Sequence, residues 1–293
     1  MENKLIEIYL LVCHLYDMQS ELHWQPNRNA QPYLSVPELM TIYLFGQLNG
    51  HFKKRGIYDF TSHYWRAWFP SLGSYQAFCR RLNLLENHFQ MLLGGLLTQL
   101  QQSAEEVRTL DHLIDSMPVI LAQGSKSKRA KLARQIASTG FCATKQMHFH
   151  GVRLHLIAKR QPHQLPRPTH LWLERANTHD LTALRTKAAI AHHSNLFGDK
   201  AYASRPFKQL LHERRQVNLL TPIKKPKGGE LSPNQKHYNK LVSKIRQPIE
   251  SFFKWLIDKT DIQRASTVRS TDGLLVHCLG KLSFALLLLN FYY

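Results

Sequence analysis

Acidic residues are scarce in this sequence: 293 residues carry 20 Asp and Glu against 39 Lys and Arg, a formal net charge of +19. A surplus of that size exceeds what solubility requires and points to a polyanionic partner, nucleic acid ahead of a membrane surface. Cysteine is scarcer still. The four present (Cys13, Cys79, Cys142, Cys278) lie far apart with neither CxxC nor Cys/His ligand spacing, which excludes a disulfide framework and a structural zinc and fits a reducing cytoplasm. Long hydrophobic runs are missing too. The most apolar stretch, residues 274–293, is broken by His277 and Lys281. The 12 uncharged residues that remain from Leu282 onward are too few to span a bilayer core of roughly 30 Å. A buried terminal helix is expected there, and no membrane association. Residues 1–12 include Glu2 and Glu7 and no small-residue cleavage site, so no cleavable leader is expected. The 17 histidines show no HExxH spacing. There is no internal repeat and no low-complexity tract.

What is present is enough apolar material for a core. A 43% apolar and 10% aromatic content excludes charge-driven disorder, and the length suits one or two domains. Charge is distributed unevenly between them: residues 1–110 hold 9 basic and 9 acidic residues, and residues 111–293 hold 30 and 11. A boundary within the polar stretch 99–108 divides the chain into domains at 1–105 and 106–293.

The first domain reads as all-α. Leu5, Ile8, Tyr9, Val12, Leu15 and Tyr16 recur at helical spacing, and Ser35 with Glu38 forms a capping box that opens a second apolar helix through Leu48. After the break at residues 69–73, Ser74 caps a helix that turns Tyr75, Phe78 and Leu82 inward and Arg80 and Arg81 outward. Paired arginines on a short helix after a turn suit a helix-turn-helix seated in a DNA major groove; an ordinary solvated bundle face fits the same residues.

The second domain changes period. Strands are expected at residues 113–121, at 152–159, where Val152, Leu154, Leu156 and Ala158 alternate with Arg153, His155, Ile157 and Lys159, and at 169–175. A helix at 180–193 with Asp180 as its N-cap, a strand from Asn195 running into Asp199, a helix at 204–214 and a strand at 217–221 follow. A Pro/Gly/Lys-rich loop then leads into a long helix carrying Glu250. Antiparallel strands followed by crossover helices make an α/β fold, a mixed sheet flanked by helices, with the first and fourth strands adjacent at its centre.

Three carboxylates stand out because they sit in apolar elements of a basic domain: Asp115, Asp199 and Glu250. Converging, they would repel one another unless a divalent cation joined them, and oxygen-only ligands select Mg²⁺ or Mn²⁺. Two such ions support phosphodiester displacement. Plainer roles fit each as well. Asp111 competes with Asp115 for the same facing, Asp199 suits a cap or turn, and Glu250 suits i±4 pairing with Arg246 and Lys254. His179 and Asp180 offer further polar groups. Lys126, Lys128, Arg129 and Lys131 form a basic loop between the first two strands, suited to tracking a phosphate backbone; a solvated charge run fits the same residues.

The segments Phe69-Pro-Ser-Leu72, Ile114-Asp-Ser-Met-Pro-Val119, His150-Gly-Val-Arg-Leu-His-Leu156, Ala176-Asn-Thr-His-Asp180, Gly198-Asp-Lys-Ala-Tyr202 and Arg246-Gln-Pro-Ile-Glu250 together resemble the DDE transposases of bacterial insertion sequences, most nearly the insertion sequence family numbered 982. The resemblance implies a ribonuclease H-like catalytic domain with Asp115, Asp199 and Glu250 as metal-binding catalytic residues. It further implies Mg²⁺ as cofactor with Mn²⁺ as substitute, and cleavage and strand transfer at terminal inverted repeats. Partners would be double-stranded DNA and a second copy on that DNA, in a bacterial cytoplasm at the nucleoid. Lys200, Arg246 and Lys254 join Arg80, Arg81 and the basic loop as DNA-facing residues. Related families carry a tyrosine and a lysine where this sequence has Ser243 and Ile257, so the DNA-end contacts of that signature do not carry over. A metal-dependent nuclease and a non-catalytic DNA-binding protein, whether regulator or decayed or domesticated transposase, are the alternatives.

Overall fold

Helices come first along the chain and strands later, following the change of hydrophobic period in the sequence. The computed structural model describes residues 1–18, 34–102, 110–143, 145–187 and 193–291. Part of the expected boundary stretch and the later part of the helix expected at 180–193 lie outside these residues. The chain forms two compact units. One comprises Met1–Leu100, Lys259–Ile262 and Val268–Tyr293, and the other Gln101–Asp258 and Gln263–Thr267.

The first unit is built from α1 (Glu2–Asp17), α2 (Val36–Leu48), α3 (Lys54–Tyr64), α4 (Tyr75–Asn83), α5 (Glu86–Gln102) and α9 (Thr271–Phe291). The capping box at α2 is complete: the Ser35 N–H donates to Glu38 Oε2 at 2.6 Å and the Glu38 N–H to Ser35 Oγ at 3.2 Å. α2 and α9 are buried on nearly every side, as helices without a polar face must be. Glycines let such helices approach: a Cβ on Gly280 would lie 2.6 Å from the Tyr43 ring, and one on Gly46 2.8 Å from Ile57. α9 is long and apolar enough to cross a membrane by length and composition alone, and most of it is buried inside the fold. Sequence spacing assigned it to the second domain, but an all-round apolar helix carries no directional pattern to say what covers it. Its two polar interruptions are satisfied. His277 Nε2 donates to the Ile262 carbonyl at 2.8 Å, and Lys281 Nζ donates to the carbonyls of Phe52, at 3.1 Å, and Thr260.

Ser74 caps α4 as expected, accepting from the Ala77 N–H at 3.3 Å, and Phe78 and Leu82 are buried. Two features differ from a helix-turn-helix. Residues 65–74 separate α3 from α4, whereas that motif uses a turn of about three to four residues. Arg81 does not face outward; it is half-buried and donates to the Leu34 carbonyl, while Arg80 is exposed.

The second unit holds one sheet of β1 (Asp111–Gln123), β2 (Ser138–Cys142), β3 (Met147–Lys159), β4 (Arg167–Arg175), β5 (Asn195–Phe197) and β6 (Asn218–Leu220), with α6 (Asp180–Thr186), α7 (Arg205–Arg215) and most of α8 (Pro233–Thr260). β3 pairs antiparallel with β1 along one edge and with β2 and then β4 along the other, while β5 and β6 run parallel to β1 in the order β3-β1-β5-β6. The expected adjacency of the first strand and the strand leading to Asp199 is therefore present. Ile114 and Ile157 on one sheet face pack with Leu184 of α6 and with Phe207 and Leu211 of α7. Alternation then sends Asp115 to the opposite face and Ser116, Arg153 and His155 to the α6 face. β2 breaks no pattern visible in sequence, yet Gly140 within it is obligatory: a Cβ there would fall 2.1 Å from the Ala176 carbonyl oxygen.

Candidate active site

Asp115 sits within β1, opposite Leu156 of β3. On its other side the parallel ladder pairs Asp111 with Asn195, His112 with Leu196 and Leu113 with Phe197. The ladder ends at that pair; Asp115 and Asp199 each lie two residues beyond it, near enough for the charge of Asp199 to act on Asp115. Both carboxylates are oriented alike by the backbone. Asp115 Oδ1 accepts from the Ser116 N–H at 2.8 Å, and Asp199 Oδ1 accepts from the Ala201 N–H at 2.8 Å, capping the short 3₁₀ turn Lys200–Tyr202. Asp199 is thus both a cap and a member of the acidic pair. Asp111, the competitor four residues before Asp115, is engaged at the start of the strand by Asn195 Nδ2 at 3.0 Å and Arg160 at 3.9 Å.

Glu250 reaches this point through a cation. Arg246, one turn earlier on α8, donates through Nη1 to Asp115 Oδ2 at 2.7 Å and through Nη2 to Glu250 Oε1 at 2.7 Å. Charge-assisted bonds of this length are the strong ones. Pro248 lies between the two residues; lacking an N–H, it leaves the Lys244 carbonyl without its helical donor, so this turn is locally loosened.

On the α6 face, Asp180 comes close to the same strand. It is the first helical residue rather than the N-cap expected from sequence; His179 takes that place, its Nδ1 accepting from the Leu181 N–H at 3.3 Å. With the cap supplied by His179, Asp180 Oδ1 accepts from Ser116 Oγ at 2.8 Å and lies 3.7 Å from Arg153. His155, fully buried and stacked on Trp172, has its Nδ1 4.0 Å from Asp180. Among the described residues, both ring nitrogens of His155 and the hydroxyl of Tyr202 are buried without a hydrogen-bond partner.

The electrostatics follow from this crowding. Burial pushes the Asp115 carboxyl up to about 6; Arg246 and the Ser116 N–H pull against that rise, and the charges of Asp199 and Asp180 add to it. Burial first, then Asp180, Asp115 and Asp199, raise the Tyr202 hydroxyl well above its ordinary value. Burial lowers His155 to about 4 against the pull of Asp180, with Arg153 adding to the fall. A buried carboxyl made harder to ionise by its carboxylate neighbours marks a place where added positive charge is favourable. Among the described residues no group of three or more His, Cys, Asp or Glu stands arranged to hold a metal ion. The donor set of Asp115, Asp199 and Glu250 is oxygen-only and fits a hard divalent cation in its chemistry. Its departure in arrangement is the guanidinium of Arg246, set between Asp115 and Glu250.

The remaining candidates are dispersed. Lys200 and Lys254 are exposed close in sequence to Asp199 and Glu250. Lys126, Lys128 and Arg129 are exposed on a short 3₁₀ helix, Gly124–Arg129, that follows the far end of β1, with Lys131 exposed just beyond. At about 3.3 Å per residue that helix begins about 30 Å along the strand from Asp115. Sequence reasoning offered Asp180 as a further polar group but missed Ser116, its hydrogen-bond partner, although the alternation of β1 and β3 held the signal: Ser116 is paired with His155.

Residues 112–287 match the family model described as a transposase DDE domain. No curated protein matches the chain. No solved structure matches it either.

Proposed function

The chain belongs to the transposase DDE domain family, and from that premise we propose that it cleaves DNA at the terminal inverted repeats of an insertion sequence and joins the freed ends to target DNA. The observation that carries this reading is the set of acids on the central strands. Asp115 on β1 and Asp199, just past the end of the adjacent parallel β5, each lie two residues beyond the last paired positions, and Glu250 is tied to Asp115 through Arg246. In this reading Asp115, Asp199 and Glu250 are the catalytic carboxylates and would hold Mg²⁺, or Mn²⁺ in its place. When bound, such ions supply the charge that activates an attacking oxygen and stabilises a leaving one.

The protein's own residues prepare that chemistry. Backbone N–H groups of Ser116 and Ala201 each fix one carboxylate oxygen of Asp115 and Asp199, so neither group reorganises when a phosphodiester arrives. Arg246, Lys200 and Lys254 surround the acids with positive charge for phosphates. Lys126, Lys128, Arg129 and Lys131, about 30 Å distant along β1, would meet the duplex about nine base pairs away at 3.4 Å each. Arg80 on α4 is the candidate for reading the element's end. We read the sheet, antiparallel in its first strands and parallel in its last, as ribonuclease H-like, and the family numbered 982 as the nearest kind of insertion sequence. Because two ends must meet one target, the working form is a homodimer on DNA, in the bacterial cytoplasm.

The reading is tested by incubating the protein with a labelled duplex ending in the inverted repeat and a supercoiled plasmid, with Mg²⁺ or with EDTA. Cleaved and plasmid-joined label with Mg²⁺ and neither with EDTA is the expected result. Cleavage without joining makes the protein a nuclease, and DNA binding with neither product makes it a binder.

A further inference from the structure

An Arg and a Glu four residues apart on a helix surface form a common pair. Here the same guanidinium is shared: its second arm holds Asp115, 131 residues away in sequence, at 2.7 Å. The pairing is unequal in exposure. The Arg246 and Asp115 side chains are 17% and 21% exposed, and Glu250 is 60% exposed, so the bond to Asp115 is the shielded one and the side of Glu250 opens to solvent.

The planar fork takes up Asp115 Oδ2 and Glu250 Oε1. A divalent cation held between the two residues would sit where the guanidinium now lies. Each oxygen keeps a further lone pair, so the competition is for position and against like charge: a guanidinium between the carboxylates disfavours a second cation there. Arg246 has another acceptor within reach once DNA lies along α8. Lys254 is exposed on the same helix, one turn beyond Glu250 and about 12 Å from Arg246 at 1.5 Å per residue, on the side that Glu250 opens to solvent. A phosphate placed there takes a guanidinium bidentately, as a carboxylate does.

We propose that Arg246 is a displaceable counter-ion: it holds the place between Asp115 and Glu250 until a DNA phosphate draws it off, which couples loading of the divalent cation to binding of DNA. The proposal rests on the reading of Asp115 and Glu250 as metal ligands. Its consequence is reciprocal, since two ligands that favour one position of Arg246 must tighten each other by the same factor.

The test counts Mn²⁺ bound to the full chain by the loss of the free-ion electron paramagnetic resonance signal, with and without a short blunt duplex, after subtraction of a duplex-only blank. Wild type should bind Mn²⁺ about tenfold more tightly on the duplex than alone, within the usual range of such couplings. Arg246→Met, which keeps the aliphatic stem, should already bind about tenfold more tightly than wild type without DNA and gain little from the duplex. Binding by Arg246→Met that is equal to or weaker than wild type overturns the proposal, because the guanidinium then supports the site rather than competing for it. If the variant fails to fold, wild type decides alone: no tightening on the duplex overturns it equally. Asp115→Asn separates the two levels of the argument. If it leaves Mn²⁺ binding unchanged, the metal site itself is wrong; if it weakens binding while Arg246→Met does not tighten it, only the counter-ion proposal fails.

Discussion

Gly198 follows the end of β5 and immediately precedes Asp199. A Cβ at this position would lie 2.9 Å from Tyr202 Cδ2, 3.2 Å from Tyr202 Cγ and 3.0 Å from Ile114 Cγ2. Carbon pairs settle at about 3.5–4.0 Å, so the methyl group needs roughly half an ångström to one ångström from two neighbours at once. Neither has room to retreat: Tyr202 and Ile114 are fully buried. Overpacking of this kind costs about 1–3 kcal/mol, which for a unit of this size lowers the melting temperature by about 2–12 °C. The strain is relieved most easily by moving the 3₁₀ turn that Asp199 caps, and a carboxylate displaced by an ångström costs about 100-fold in rate. Gly198→Ala should therefore lose more activity than stability. Gly94→Ala is the control. That glycine lies in α5 with nothing within 4 Å of the added Cβ, and its replacement should stabilise by about 1 kcal/mol through helix propensity. Thermal melts and cleavage rates of both variants decide the matter, and a Gly198→Ala protein that melts and cleaves as wild type refutes the packing argument.

His277 supplies a pH prediction. Burial, with Lys281 and Lys54 nearby, lowers its imidazole from 6.5 to about 3 against the Ile262 carbonyl bond that favours the charged form. The unfolded chain therefore binds the extra proton first. Stability from this group is complete above 6.5 and is lost as pH falls toward 3, with about 2 kcal/mol gone at pH 5. Denaturant titrations at pH 7 and pH 5 should show His277→Gln, which keeps an N–H donor, gaining about that much relative to wild type; equal pH dependence refutes it. The paired arginines separate in the same way. Arg81→Ala should destabilise by about 1.5–3 kcal/mol with or without DNA, because it strips a charged donor from the Leu34 carbonyl. Arg80→Ala should leave melting unchanged and weaken DNA binding, reducing the salt slope by about one if the contact is to phosphate and affecting only the cognate end if it is to a base. Duplex binding that ignores Arg80 places end recognition elsewhere.

Local signals carried most of the fold. The capping box at Ser35 and Glu38 and the alternation around Val152 and Leu154 are written in neighbouring residues, so they were legible. The adjacency of β1 and β5 followed from the order of elements. Three features were not readable this way, each for a physical reason. α3 buries only Ile57 and Thr61, too narrow a stripe to stand out. β2 is five residues long and owes its place to contact with β3 and the close approach of Ala176 to Gly140. α9 is apolar all round, so its pattern predicts burial without naming the unit that buries it. At the site, the three acids were conspicuous because their neighbours in sequence are apolar and burial of charge is costly; that cost applies to Asp115, whereas Glu250 is 60% exposed and owed its prominence to the apolar residues beside it. The shared use of Arg246 was not, since a pair four residues apart on a helix explains its sequence position completely.

The most direct test of the central claim is the DNA cleavage rate of Asp115→Asn, Asp199→Asn and Glu250→Gln, measured with saturating Mg²⁺ beside duplex binding and melting of the same proteins. The account predicts that each substitution lowers cleavage by several orders of magnitude while leaving the fold and DNA affinity close to wild type, and that Asp111→Asn is far milder. Wild-type cleavage by any one of the three would contradict it.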